Sequence, residues 1–75
     1  MNKKRKEGIA NILEQVESLK DELEEFLDEE QEAYDNTPES LQLSERGEYM
    51  MECIESMSEA VNSLDEAVNS LNMIE

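Results

Sequence analysis

The 75-residue chain contains no histidine and no tryptophan, and it has a single cysteine, Cys53. The absence of histidine excludes the usual zinc sites and the commonest acid–base catalyst. A lone cysteine cannot form an intrachain disulfide, which is typical of a reducing compartment. No apolar run approaches the ~18 residues of a membrane span, and the N-terminus lacks the apolar segment of a signal peptide. We therefore expect a cytoplasmic protein without a cofactor.

Basic residues are also scarce, because 21 acids face only 6 bases and the net charge is −15. Four of the bases form the run Lys3–Lys6, and from Glu7 onward only Lys20 and Arg46 remain. A chain this acidic repels nucleic acid and anionic membranes. We therefore expect no direct nucleic-acid partner and no membrane partner.

The first half of the chain has a heptad pattern with an apolar face about three positions wide. Positions a, d and e hold Ile9, Val16, Leu23 and Glu30; Ile12, Leu19, Phe26 and Ala33; and Leu13, Lys20, Leu27 and Tyr34. The opposite position, f, holds Glu14, Asp21, Asp28 and Asp35. This periodicity predicts an amphipathic helix from about residue 3 to residue 35.

The second half repeats with the same period, as "SMSEAVN", "SLDEAVN" and "SLNMIE". Positions a, d and g hold Ile54, Val61 and Val68; Met50, Met57, Leu64 and Leu71; and Cys53, Ala60, Ala67 and Ile74. This pattern predicts a second helix from about residue 44 to residue 75. A face three positions wide suits a helix that contacts two neighbours, as in a bundle.

Two helices of similar length with a short connection predict an all-α fold, a single antiparallel two-helix hairpin over residues 1–75. If the chain bends near residue 40, paired residue numbers add to about 80, so that Leu23 faces Met57. One hairpin covers only one side of each apolar face, and large uncovered apolar faces are uncommon on monomers. We therefore expect a homodimer in the form of a four-helix bundle.

The bend is expected at residues 36–43, where Pro38 disfavours a helical conformation at Thr37. Ser44 is the natural N-cap of the second helix. At the bend we also expect an ion pair between Glu30 and Arg46 and a close approach of Ala33 to Gly47. Leu41 and Leu43 are expected to close the core beside Tyr34 and Tyr49. The bend is either purely structural or an accessible recognition site.

The bend also carries a resemblance, through Tyr34-Asp35-Asn36, Pro38-Glu39, Leu41-Gln42 and Ser44-Glu45-Arg46. With the repeats of the "EAVNSL" kind, this tract resembles short acidic helical proteins encoded in prophages and mobile elements of Firmicutes. The resemblance implies a phage-type protein in a bacterial host cell, and it carries over no active residues.

No residue is predicted to be catalytic, cofactor-binding or metal-binding. An EF-hand requires a glycine where "DEEQEAYDNTPE" has alanine. Candidate partner contacts come from the acidic f positions, the bend and the serine-rich position c of the second helix. They are Glu14, Asp21, Asp28, Pro38, Leu41, Arg46, Ser63 and Ser70.

Two functions remain open from the sequence. The first is a non-enzymatic phage-type accessory or regulatory protein that binds an unknown host or phage protein. The second is an acidic DNA mimic that inhibits a nucleic-acid-binding enzyme. Residues 7–35 hold 12 acids, or one per ~3.6 Å of helix, and one DNA strand presents a phosphate per ~3.4 Å.

Overall fold

A computed structural model describes residues 1–74, and the regular structure of these residues is entirely α-helical. Helix α1 covers Lys3–Asp35, the short α2 covers Glu39–Gln42, and α3 covers Glu45–Asn72. The all-α prediction is therefore confirmed. The second helix was predicted to reach residue 75, whereas α3 ends at Asn72 and Glu75 lies outside the described residues.

Side chains at both ends of α1 satisfy backbone groups that the helix itself leaves unpaired. The side chain of Asn2 accepts a hydrogen bond from the backbone N–H of Arg5 at 2.9 Å. At the other end, the Thr37 hydroxyl donates to the carbonyl oxygen of Ala33 at 2.8 Å. Pro38 follows directly, and its extended backbone starts α2 instead of continuing α1.

Hydrogen bonds hold the four-residue α2 in place between the two long helices. The side-chain amide of Gln42 donates to the carbonyl oxygen of Tyr34 at 2.8 Å. Ser44 caps α3 as predicted, since its hydroxyl accepts from the backbone N–H of Gly47 at 3.3 Å. A Cβ atom on Gly47 would overlap the carbonyl oxygens of Gln42 and Leu41. Gly47 is therefore required by the turn from α2 to α3, and it lines one cleft together with Ala33.

Helices α1 and α3 lie side by side and run in opposite directions. Lys20, in the middle of α1, contacts Asp65 of α3. Tyr34, near the C-terminal end of α1, lies near Met51 of α3. The numbers of the Lys20–Asp65 pair add to 85, so the register differs from the expected value of about 80. The prediction that Leu23 faces Met57 is therefore wrong by about one helical turn. The residues of α2 lengthen the connection between the long helices, so the centre of the bend moves toward Gln42.

The core lies along α3. Among residues 1–74, only Ile54 and Val68 are buried apolar residues, with 5% and 8% of their surface exposed. Positions a and e of α1 are all half-buried, including the polar residues Lys20 and Glu30. Position d of α1 stays outside the contact, as expected for a face three positions wide.

The prediction that Leu41 and Leu43 close the core beside Tyr34 and Tyr49 is wrong. Leu41, Leu43 and Tyr49 do not close the core, because each remains mostly exposed. Gln42 occupies that position instead, because its amide can satisfy the last carbonyl groups of α1, which leucine cannot do.

Candidate interaction surfaces

The acidic residues Glu14, Asp21 and Asp28 form one exposed row along α1. Successive members are seven residues apart, which places them ~10.5 Å apart along the helix axis. Both ion pairs within residues 1–74 use Lys20, which contacts Glu24 and Asp65, so no base neutralises this row there. The row therefore presents unneutralised carboxylates to solvent.

Lys20 forms the one ion pair between the two long helices in the described part of the chain. Its Nζ donates a hydrogen bond to Oδ1 of Asp65 at 3.0 Å, while Glu24 is 3.9 Å away on α1 itself. The hydrogen bond to Asp65 raises the pKa of Lys20, and the charges of Asp65, Glu24 and Asp21 act in the same direction. The sequence places both partners at position e, but only the observed register brings them level.

The bend residues Pro38, Leu41 and Arg46 come together around one cleft of about 440 Å³. The rest of its lining consists of Ala33, Asn36, Thr37, Ser44, Gly47 and Met50. Within residues 1–74 Arg46 makes no ion pair, so the predicted Glu30–Arg46 pair is wrong. The shifted register explains this result, because it places Glu30 beside Tyr49 and Cys53, farther along α3 than Arg46.

A second cleft, of about 670 Å³, lies where Glu30 approaches α3. Tyr49, Glu52, Cys53, Ser56 and Met57 form the rest of its lining. The adjacent Cys53 thiol raises the pKa of Tyr49, and the carboxylates of Glu30 and Glu52 add to this effect. Tyr49, Glu52 and Ser56 are exposed at this cleft, and Glu30, Cys53 and Met57 are half-buried.

Ser63 and Ser70 are exposed on α3, in the same heptad position as Tyr49 and Ser56. Position c of α3 lies on the side of the helix pair opposite the Lys20–Asp65 contact, whereas position f of α1 lies on the side of that contact. The structure therefore does not bring the serine row and the acidic row into one site.

Position d of α1 forms a third surface, which we call the outer stripe: Ile12, Leu19 and Phe26. These side chains are 51%, 57% and 63% exposed, although each is large and apolar. The candidate contacts named from the sequence did not include them. The width of the apolar face could have indicated this surface, because one neighbouring helix cannot cover all three apolar heptad positions.

The outer stripe shares its side of the molecule with small residues of α3. Lys20 and Asp65, both at position e, meet on one side of the helix pair. Position d of α1 and position g of α3 are rotated away from e and lie together on the opposite side. Ala60 and Ala67 are exposed there. The result is a flat apolar face with large side chains along one edge and alanines along the other.

Residues 1–74 contain neither a metal-binding cluster nor a membrane-spanning helix. Within them, no three acidic or cysteine side chains are grouped to hold a metal ion. Neither of the long helices described has a stretch apolar enough to cross a membrane. Comparison of the chain with protein-family models, curated proteins and solved structures finds no match.

Proposed function

We propose that this chain is a non-enzymatic interaction protein of the phage-accessory or regulatory kind, acting in the cytoplasm of a bacterial host cell. Its working unit is an antiparallel two-helix hairpin that dimerises into a four-helix bundle and binds another protein. The observation that carries this proposal is the outer stripe, since three large apolar side chains stay mostly exposed along a helix 33 residues long.

The bend supports the second part of the proposal, the binding of a different protein. Leu41 and Leu43 are exposed beside the cleft that Arg46 lines. Arginine is enriched in protein-binding hot spots, and Arg46 forms no ion pair within residues 1–74. The bend is also the tract that resembles the prophage-encoded proteins, so we assign the foreign partner to this end of the hairpin.

Affinity capture from a bacterial lysate, followed by mass spectrometry, tests the foreign partner. We expect the wild-type chain to retain a protein that the double variant Leu41→Gln/Arg46→Ala loses. The triple variant Glu14→Gln/Asp21→Asn/Asp28→Asn is the matched control and should retain the same protein, because its changes lie on the acidic row. Capture that is insensitive to the bend would overturn the assignment of the bend.

One observation favours the second candidate function, the DNA mimic. Glu14, Asp21 and Asp28 are all exposed on one continuous helix, and no base within residues 1–74 pairs with them. A mimic would bind its target more weakly as salt is raised and would compete with DNA. In that case the triple acidic variant, and not the bend variant, would lose the captured protein. Binding that survives 500 mM salt unchanged would exclude the mimic.

A further inference from the structure

The accessible surface of the chain is larger than that of a compact protein of the same mass. The chain of 8.7 kDa exposes 5911 Å², whereas a compact protein of this mass exposes about 4,700 Å². The excess of about 1,200 Å² is larger than the ~800 Å² that each partner buries in an interface of standard size. A second copy seated on the outer stripe would bury an area of this order.

The position of the outer stripe on α1 suggests the symmetry of such a contact. Leu19 is the midpoint of α1, which covers Lys3–Asp35, and it is also the midpoint between Ile12 and Phe26. A two-fold axis at Leu19 therefore aligns two α1 helices over their full length in antiparallel orientation. It places Leu19 against its own copy and Ile12 against the partner's Phe26.

Charge selects this orientation over the parallel one. In the antiparallel arrangement, the basic run Lys3–Lys6 lies level with residues 32–35 of the other copy, which include Glu32 and Asp35. In a parallel arrangement, the two basic runs would face each other, and so would the two acidic ends of α1 at residues 32–35. Like charges in juxtaposition oppose association, and complementary charges favour it.

The ends of α1 provide an independent reason for the same orientation. Its first turn contains no acid and its last turn contains no base. Both ends therefore oppose the helix dipole, which favours acids at the first turn and bases at the last. An antiparallel second copy offsets both unfavourable interactions. Its acidic last turn lies beside the basic first turn of the first copy, and its basic first turn lies beside the acidic last turn of the first copy.

The first two turns of α1 also lack a neighbour within the described chain. At the observed register, Ile12 lies level with residue 73, so Lys3–Gly8 extend beyond the last turn of α3. Residues 3–8 are all exposed. Short helical segments without packing are marginal in water, and the antiparallel copy supplies α1 with a neighbour along this segment.

We infer that two copies of this chain associate through the outer stripe in antiparallel orientation, with Leu19 on the two-fold axis and Lys3–Lys6 beside the partner copy's acidic α1 end. This inference rests on the self-association proposed above and adds its face and orientation. The small residues Ala60 and Ala67 of α3 lie on the same face, so α3 can approach the second copy without steric obstruction.

Cysteine crosslinking tests the orientation directly, in full-length chains that carry Cys53→Ala. One chain carries Ile12→Cys, and a second chain with a larger affinity tag carries Phe26→Cys. After mixing and mild oxidation, we expect the mixed disulfide to form at least ten-fold more than the Ile12→Cys homodimer. Asp21→Cys, on the acidic row, is the matched control for random collision. An Ile12→Cys homodimer as the main product would overturn the antiparallel orientation.

Neutralising the basic run separates the two orientations without relying on crosslinks. We expect replacement of Lys3, Lys4, Arg5 and Lys6 by glutamine to weaken self-association about ten-fold, measured by sedimentation. A parallel dimer would instead tighten, because two facing basic runs would lose their repulsion. Tighter association would thus overturn the orientation alone. A wild-type chain that stays monomeric would overturn both the orientation and the proposed self-association.

Discussion

The two long helices differ in how completely their apolar faces are covered. Helix α3 has three buried residues, Gly47, Ile54 and Val68. Helix α1 is longer and has none. The uncovered edge of α3 carries alanines, whereas that of α1 carries Ile12, Leu19 and Phe26. The difference shows that α3 supplies the buried core of the single chain, and the proposed second copy would cover the exposed edge of α1.

The largest expected effect comes from the buried side of this comparison. We expect Ile54→Ala to lower the free energy of unfolding by about 2–4 kcal/mol, because it leaves a cavity at the most buried apolar position. Urea denaturation followed by circular dichroism measures the change. In the same experiment, Ile12→Ala should have little effect in dilute solution and a larger one as the protein concentration rises. Equal effects at all concentrations would contradict the difference between the helices.

The two glycines provide the next comparison. Gly47→Ala should destabilise the fold by about 1–3 kcal/mol, since the added Cβ overlaps two carbonyl oxygens of the bend. Gly8→Ala should stabilise it by up to about 1 kcal/mol, because nothing lies within 4 Å of the new Cβ and alanine favours helix. Thermal denaturation of the two variants shows whether each substitution raises or lowers the stability. Destabilisation by Gly8→Ala would show that the second copy approaches this position too closely for a Cβ atom.

Glu30 interrupts the apolar a positions of α1 and lies near Glu52. We expect Glu30→Leu to stabilise the chain by about 1 kcal/mol, because leucine would bury part of its surface against Met57 and Cys53. Glu30→Gln is the matched control and separates loss of charge from gain of apolar contact. Strong destabilisation by leucine would show that the carboxylate has another role. Loss of the Glu30 charge should also lower the pKa of Tyr49, which absorbance titration measures.

The smallest expected effect concerns Lys20 and alkaline pH. Folding raises the pKa of Lys20 and of Tyr49 above their ordinary values of 10.5 and 10.0. The unfolded chain therefore loses these protons first, so the stability that these two groups contribute is fully present below about pH 10 and is lost as pH rises through their folded pKa values. Lys20→Gln should make this decline shallower, and Tyr49→Phe should do so independently. Urea denaturation at pH 9 and at pH 11 measures the decline, and a rise in stability across this range would contradict it.

Much of the helical structure was predictable from the sequence, because heptad periodicity and local capping act within a few residues. Lys3–Asp35 and the Ser44 cap are determined by the apolar face, by Pro38 and by side-chain oxygens near free N–H groups. The register between α1 and α3 was not predictable in this way. It depends on how much chain α2 occupies and on the amide of Gln42, which ties α2 to Tyr34.

The features of the candidate sites divide in the same way, into those set by heptad position and those set by the register between α1 and α3. The exposure of the acidic row and of Ser63 and Ser70 follows from heptad position alone. The pairing of Lys20 with Asp65 and the approach of Glu30 to Tyr49 depend on the register, and a shift of about one turn was enough to replace the expected Glu30–Arg46 pair. The outer stripe was recognisable as an uncovered face, but its residues became identifiable only once α3 was placed against positions a and e.

The mass of the chain in solution tests the central claim most directly, since every argument about α1 requires a second copy on its outer stripe. Light scattering or sedimentation equilibrium at micromolar concentration should give twice the chain mass of 8.7 kDa. Leu19→Glu, which places two carboxylates on the proposed two-fold axis, should restore the mass of a single chain while circular dichroism remains helical. A wild-type chain that stays at 8.7 kDa with a stable, cooperative unfolding transition would contradict the account.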